Sequence, residues 1–272
     1  MLTDLFRYHF MVNALLAGTL VAVIASLIGW FMVVRRQTFA GHTLSVIAFP
    51  GAAAAALLGA PAFAGYFGAC LLGGFVLSRV SGGGAVGLSE ESAAIGAVQA
   101  VALGCGFLFV SLYHGLLNGL DSLLFGTFLG ITDGQVLVLA AAAALVLAVL
   151  MAIGRPLFFA SVDGEVARAG GVPVAALATG FLLLLGLAVA ATSQITGALL
   201  VFALLVTPAA TAQAITERPG LSLALSLAIA LAVTWVGLGI AYYSIYPVGF
   251  WVTSLSFGAY VLARAWRALR ER

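Results

Sequence analysis

The chain has 272 residues, of which 64% are hydrophobic and only 7% are charged, and its mean hydropathy is +1.21. A water-soluble domain cannot hide so much apolar surface, so the composition excludes that class and predicts a chain surrounded by lipid. The net charge is only +2, and the basic residues, all arginines, are spread among short polar stretches. They form no basic patch for a nucleic acid partner.

Apolar segments separated by short polar stretches recur along the whole chain. We predict an all-α polytopic transmembrane bundle of about nine spans (eight to ten), forming a single transmembrane domain over 1–272. The predicted spans are 12–34, 44–58, 62–77, 93–113, 136–153, 174–191, 195–215, 221–242 and 248–263. The stretch 114–135 is too apolar for a loop and too broken to span, which predicts a re-entrant or interfacial segment. The fifth span is expected to end at Arg155 and Pro156.

The arginines give the chain an orientation. If the loop with Arg35 and Arg36 is cytoplasmic, nine spans leave only Arg7 on the outer side. Because cytoplasmic loops are enriched in basic residues, we predict an external N-terminus and a cytoplasmic C-terminus. Aromatic residues then lie at the outer interface, where amphipathic rings are favoured. These residues are Tyr242, Tyr243, Tyr246 and Trp251.

Charged residues are missing from the centres of the predicted spans. A proton-coupled carrier generally needs acids at membrane depth, so their absence argues against that class. The sequence also has no histidine pair of a metalloprotease, no nucleophile elbow and no phosphate-cradling loop. We therefore expect neither an enzyme nor an ATP-binding subunit, but a conduit whose energy comes from a partner.

The segment 161–173 belongs to the longest polar stretch between two predicted spans. Asp163 is placed to cap a short helix with Glu165 in its first turn, and Gly170 with Gly171 is placed to end that helix. On the cytoplasmic side such a helix suits docking into the groove of a partner. An ordinary amphipathic loop helix has the same pattern, and the residues alone leave both interpretations open.

A proline lies between hydroxylic residues towards the end of the seventh predicted span, at Thr207, Pro208 and Thr211. Proline loosens a helix, and threonine hydroxyls bond the carbonyls it frees. The pattern predicts a kink, which is either purely structural or part of a gate.

His42 stands at the start of the predicted second span. Imidazole is a common ligand of zinc and similar metals, whereas a lone histidine at a helix start is more often a hydrogen-bonded structural residue. His114, Asn118, Asp121 and Asp133 are placed at the outer face, either as a mouth for a cation or, as we favour, in a solvated loop.

Several blocks resemble, in order, the permease subunits of ABC transporters for zinc, manganese or iron. They are RRQTFAGHTLSVIAFPGAAAAALLG (35–59), FGTFLGIT (125–132), the stretch from Asp163 to Pro173, GALLVFALLVTPAATA (197–212) and the Tyr-Tyr pair at 242–243. The resemblance covers most of the chain.

The resemblance implies a permease of the bacterial plasma (inner) membrane in which two identical subunits form the pore. Cytoplasmic ATPase subunits would dock on the helix with Asp163, Glu165, Arg168 and Gly171, and an extracytoplasmic metal-binding protein would deliver the metal. The region from Thr207 to Thr211 would take part in gating. The chain itself would bind no cofactor, and its cargo would be zinc or manganese.

One departure from the family pattern bears on the cargo. Family members carry an acid, a serine and a histidine near the second span, and the acid and the histidine are thought to line the metal path. The same places here hold His42, Ser45 and Val46, and we take His42 and Ser45 as candidate pore residues. Losing a carboxylate weakens the attraction for a hard cation such as manganese, whereas imidazole favours zinc-like ions.

Two alternatives stay open. An ABC permease of the same build could carry another cargo, such as a metal chelate. A secondary transporter or channel that works without ATP is the alternative from a different class, and it predicts an intramembrane charge or a pair of broken helices in symmetric halves.

Overall fold

Ten α-helices make up most of the residues that the computed structural model describes, which are 8–81, 88–113, 126 and 130–270. They are α1 (His9–Val34), α2 (Thr38–Leu57), α3 (Ala62–Ser81), α4 (Leu88–Leu112), α5 (Asp133–Val162), α6 (Gly164–Ala169), α7 (Val174–Thr196), α8 (Ala198–Ile215), α9 (Pro219–Tyr243) and α10 (Val248–Arg270). The predictions for Arg7, His114, Asn118 and Asp121 concern residues outside this part of the chain.

The long helices of the described ranges correspond in order to the predicted spans. Seven of them, α1 to α5, α7 and α9, are long and apolar enough to cross a bilayer. The apolar part of α8 is shorter, and α10 carries arginines in its last turn. The all-α polytopic membrane fold is therefore confirmed, while nine crossings and the orientation of the termini remain predictions.

Contacts between helices that are distant in sequence define two ends of the bundle. At one end, the Nε2 atom of His9 in α1 lies 2.9 Å from the Oδ1 atom of Asp133, the first residue of α5. At the other end, Arg35, which follows α1, donates a hydrogen bond to Ser161 in the last turn of α5. We call these the His9 end and the arginine end. The arginine end is the one predicted to be cytoplasmic.

Glycines bring three helices into direct backbone contact. Gly51 of α2 faces Gly65 of α3, and a Cβ atom on either residue would strike the carbonyl of the other. A Cβ atom on Gly74 of α3 would lie 2.7 Å from the carbonyl oxygen of Leu182 in α7. Small residues allow membrane helices to approach closely, so α2, α3 and α7 form one tightly joined layer.

The start of α8 lies inside the bundle rather than at its surface. Gly29 of α1 is directly against the carbonyl oxygen of Leu205 in α8, so that a Cβ atom there would clash. Gly29 lies 20 residues after His9, the start of α1, whereas Leu205 lies only seven residues after Ala198, the start of α8. At about 1.5 Å per residue, α8 begins about 20 Å deeper than α1.

Gly126, from the predicted re-entrant segment, contacts the junction at which α7 ends and α8 begins. Gly126 lies against the carbonyl of Ile195, and a Cβ atom on it would be 2.6 Å from the backbone nitrogen of Gly197. Both glycines have a φ of 75°, which favours glycine. The rest of the predicted re-entrant segment before Gly130, residues 114–125 and 127–129, lies outside the described part of the chain.

The predicted end of the fifth span is wrong. α5 continues through Arg155 and Pro156 to Val162. Proline removes one backbone hydrogen bond, but Leu157 directly after it is fully buried. Phe158 stacks on Trp30 of α1 with ring centroids 5.8 Å apart. These packing contacts favour continued helix more than the proline opposes it.

Candidate pore face and coupling segment

His42 lies in the second turn of α2, because the helix begins at Thr38 and not at residue 44 as predicted. Its ring contacts Phe202 of α8, with centroids 4.8 Å apart and the ring planes at 61°. The Nδ1 atom is buried and has no hydrogen-bond partner. Buried polar atoms are nearly always hydrogen-bonded, so this nitrogen is an exception that calls for an explanation.

His42 shares one face of α2 with Val46. Residues four apart lie on the same side of a helix, and both side chains are partly exposed although most of α2 is buried. Phe202 and Val206 of α8, also four apart, are partly exposed as well. We call His42, Val46, Phe202 and Val206 the α2–α8 face. It brings together His42 and Val46, the two positions at which the motif resemblance implies a departure from the family pattern.

Ser45, the other candidate pore residue, is buried, and its hydroxyl donates to the carbonyl of His42 at 2.7 Å. The neighbouring Thr43 donates to Gln99 Oε1 of α4 at 3.1 Å and so joins α2 to α4. The hydroxyl proton of Ser45 is thus used within its own helix. A role for Ser45 on a metal path stays a prediction.

Within the described residues, no group of three or more His, Cys, Asp or Glu side chains could hold a metal ion. A structural zinc site takes about four such ligands, so the described part of one chain does not form a closed site of that kind. On the α2–α8 face, the one nitrogen that could bind a metal is Nδ1 of His42, which has no hydrogen-bond partner.

Asp133 forms a cluster at the His9 end that the sequence did not reveal. Its Oδ1 atom accepts from Nδ2 of Asn13 at 2.6 Å and lies 2.9 Å from Nε2 of His9. The same Asn13 amide is 3.2 Å from the carbonyl oxygen of Ile131. These contacts fasten the start of α5 to α1. The other members of the predicted mouth, at 114–121, lie outside the described residues.

The Thr-Pro segment lies in the second half of α8, and Thr211 is four residues before the last residue of the helix, Ile215. Pro208 provides no amide for the carbonyl of Leu204, four residues earlier. The hydroxyl of Thr211 donates to the carbonyl of Thr207 at 2.6 Å, and not to the carbonyl that the proline frees. α8 therefore continues as a helix through Pro208, although one of its backbone hydrogen bonds is missing there.

The predicted short helix at 161–173 is confirmed as α6. The carboxylate of Asp163 accepts hydrogen bonds from the backbone N–H groups of Glu165 and Val166 at 3.0 and 2.9 Å. Ala167 is fully buried and anchors the helix on the bundle, whereas Glu165, Val166 and Arg168 are exposed. Gly171, at φ 81°, follows the helix. An exposed ridge, fixed at both ends, thus extends from the arginine end.

Arg35 connects the end of α5, next to α6, with the start of α2, and no sequence pattern predicted this role. Its Nη1 atom donates to Ser161 at 3.1 Å and its Nε atom to Gln37 at 3.3 Å. The guanidinium carbon lies 5.3 Å from the ring centroid of Phe181 in α7. Burial lowers the pKa of Arg35, but arginine remains charged in proteins. One cation thus contacts the end of α5, the start of α2 and the wall of α7.

A bundle of apolar helices with an exposed, capped helix at one end and no phosphate-cradling loop in its sequence has the build of a membrane permease that works with separate ATPase subunits. The chain belongs to the ABC 3 transport family, whose model matches residues 7–267. The family inferred from the motifs is thereby confirmed, and the chain is a transporter subunit rather than an enzyme.

Curated relatives match over most of their length. The manganese transport system membrane protein MntC of Halalkalibacterium halodurans is 31% identical over 245 residues, which are 90% of this chain and 82% of that protein. The chelated iron transport system membrane protein YfeC of Yersinia pestis is 30% identical over 238 residues, or 88% and 80% of the two chains.

Two solved structures share the fold. PsaBC from Streptococcus pneumoniae, in complex with Fab, superposes with a TM-score of 0.85 at 24% identity and covers 99% of this chain and 100% of its own. An inward-facing metal-chelate type ABC transporter superposes with a TM-score of 0.72 at 18% identity, covering 93% and 85%.

Proposed function

We propose that this chain is the permease of an importer that carries a divalent transition metal, zinc or manganese, across the bacterial plasma membrane. Relatives named for manganese and for chelated iron support this class of cargo. The observation that carries the proposal is the imidazole of His42 on the α2–α8 face, whose buried Nδ1 atom lacks a partner. A neutral imidazole nitrogen is a good ligand for a transition metal.

A second copy of the chain completes the path. One protomer brings a single imidazole to the α2–α8 face, whereas a transition metal takes several ligands. A two-fold axis would place two copies of this face opposite each other, because such an interface uses the same surface on both subunits. His42 and Val46 would then line the passage. α8, which lacks one backbone bond at Pro208, is the element that bends, so Thr207 and Thr211 border the gate.

Cytoplasmic ATPase subunits supply the energy by docking on α6. The exposed side chains of Glu165 and Arg168 give this ridge both signs of charge, which suits recognition by a complementary groove. Asp163 caps the start of α6, and Gly171, at a positive φ, follows its end, so the position of the ridge is defined on both sides. An extracytoplasmic metal-binding protein delivers the cargo at the opposite, His9 end of the bundle.

Alternating access follows from the connection between these parts. Closure of the ATPases moves α6, and with it the end of α5 at Ser161. Arg35 passes the movement to Gln37 through its two hydrogen bonds. α2 starts one residue later, and His42 lies in its second turn. A displacement at the docking ridge thereby reaches the α2–α8 face over a short series of contacts.

Zinc is the preferred ion of the two. Manganese favours carboxylate and carbonyl oxygen, whereas imidazole suits zinc. His42 replaces the family acid, and the α2–α8 face presents no carboxylate. A metal chelate is the second candidate cargo, and a specific residue favours it. Val46 offers no ligand, and a site for a chelate is formed by shape and apolar contact more than by coordinating groups.

The test is multi-element analysis of cells that lack the permease and are complemented with the wild type, His42→Ala or an empty vector. We expect the wild type to restore zinc or manganese and His42→Ala to fail, with both proteins present in the membrane at equal levels. Restoration by both would remove His42 from the path and leave the permease in place. No change in any element would overturn a metal cargo.

Docking on α6 is tested in the same cells by Arg168→Glu, with Arg264→Glu as the matched control. Both arginines are exposed, but Arg264 lies on α10 away from the ridge. Reversing one charge at an interface places like charges together, so we expect uptake to fall about tenfold in Arg168→Glu. Equal uptake in the two variants would contradict docking at α6.

A further inference from the structure

A cavity of about 440 Å³ opens at the arginine end, between the end of α8, the loop that leads to α9 and the last turns of α10. Its charged lining consists of Arg218, Arg267, Arg270 and Glu217, and Trp266 forms one wall. The proposed transport mechanism makes no use of any of these residues. No residue of α6 lines the cavity, and the part of α8 that does, Ala214 and Ile215, lies about two turns beyond Val206 of the α2–α8 face.

The described lining of the cavity has an excess of positive charge, with three arginines and one carboxylate. The carboxylate of Glu217 lies 3.6 Å from Arg267, and the Glu217 side chain is 88% exposed. An exposed ion pair of this kind is weak. Arg270 stacks on the ring of Trp266, with its guanidinium carbon 4.1 Å from the ring centroid, which holds that cation at the cavity wall.

We infer that this cavity binds the phosphate headgroup of an anionic phospholipid. The planar guanidinium group matches phosphate oxygens with paired, charge-assisted hydrogen bonds, and three such groups converge here. Basic pockets between transmembrane helices at the membrane surface are sites for such headgroups.

The level of the cavity favours a lipid over a free anion. The part of α10 from Val248 to Arg267 is about 30 Å long, which is the thickness of the hydrocarbon core of a bilayer. Arg267 and Arg270, at the end of this helix, therefore fall at headgroup depth. Leu262, Trp266 and Leu269 form an exposed apolar stripe along the same helix. A lipid would use both the arginines and the stripe, whereas inorganic phosphate would use only the arginines.

The experiment titrates the purified, delipidated protein with phosphatidylglycerol and with phosphatidylcholine and follows bound lipid by native mass spectrometry. The variants are Arg218→Gln, Arg270→Gln and their combination. Arg264→Gln is the matched control, since Arg264 is an exposed arginine of α10 that does not line the cavity. A basic residue at an anionic membrane surface is worth about fivefold in affinity, so the combination should lose about 25-fold for phosphatidylglycerol.

The result expected is preferential binding of phosphatidylglycerol by the wild type and by Arg264→Gln, lost in the double variant and not displaced by millimolar inorganic phosphate. Equal binding by the double variant and the control would overturn the site. Displacement by inorganic phosphate at low millimolar concentration would overturn the lipid as its occupant. Equal affinity for phosphatidylcholine would show that charge plays no part and would overturn the inference as well.

Discussion

α6 and the α2–α8 face differ in what holds their residues in place. α6 is determined by the nine residues from Asp163 to Gly171, since Asp163 caps the helix and two glycines follow it. The α2–α8 face is assembled from helices that are about 160 residues apart, with His42 against Phe202. The first is therefore a local structure on the surface of the bundle. The second exists only when the whole bundle is packed.

This difference indicates how the two regions respond to change. A substitution in α6 affects one exposed turn and leaves the bundle intact. A substitution that moves α8 relative to its neighbours affects the face and the stability of the protein together. The proposed docking ridge and the proposed metal path can therefore be disturbed separately.

The largest effect is expected from Gly29→Ala, which breaks the long-range region. The added methyl group meets the carbonyl of Leu205, so α1 and α8 must separate. Overpacking of this kind costs about 3 kcal/mol. The control is Gly104→Ala in α4, where a Cβ atom meets nothing within 4 Å. Thermal unfolding of the purified proteins should show a lowered midpoint only for Gly29→Ala, and equal midpoints would contradict the close contact.

An intermediate effect is expected from Arg35→Lys, which weakens the connection between the two regions. Lysine keeps the charge but lacks the planar group that bonds Ser161 and Gln37 together. We expect uptake per ATP hydrolysed to fall about fivefold, as for the loss of a modest coupling energy. The assay uses the complete transporter in liposomes, with Arg264→Lys as control. An unchanged ratio of uptake to hydrolysis would remove Arg35 from the connection.

The smallest effect is expected from Asp163→Ala, which breaks the local region. Loss of an N-cap costs about 1 kcal/mol, and here the cost stays within α6. Hydrogen exchange at the amides of Glu165 and Val166 should become about fivefold faster, with no change in the thermal midpoint. Asp163→Asn retains a capping oxygen and should behave as the wild type. Faster exchange in both variants, or in neither, would count against the cap.

Local features were predicted from the sequence, and long-range ones were not. The cap at Asp163 and the glycines after α6 follow from neighbouring residues. The helix end expected at Pro156 was wrong because Phe158 packs on Trp30, which is far away in the sequence. The bond of Asp133 to Asn13 and the contact of His42 with Phe202 join residues more than a hundred positions apart. No local pattern records such pairs.

The glycine contacts of the α2–α3–α7 layer have a mechanical consequence. Backbones that touch directly, as at Gly51 with Gly65 and at Gly74 with Leu182, have no side chains between them that could rearrange to permit sliding. We therefore expect the three helices to move as one rigid unit. α7 follows the proposed docking ridge in the chain, and α2 carries His42. A small rotation of this unit about an axis through α3 would move the ridge and His42 together, in addition to the connection through Arg35.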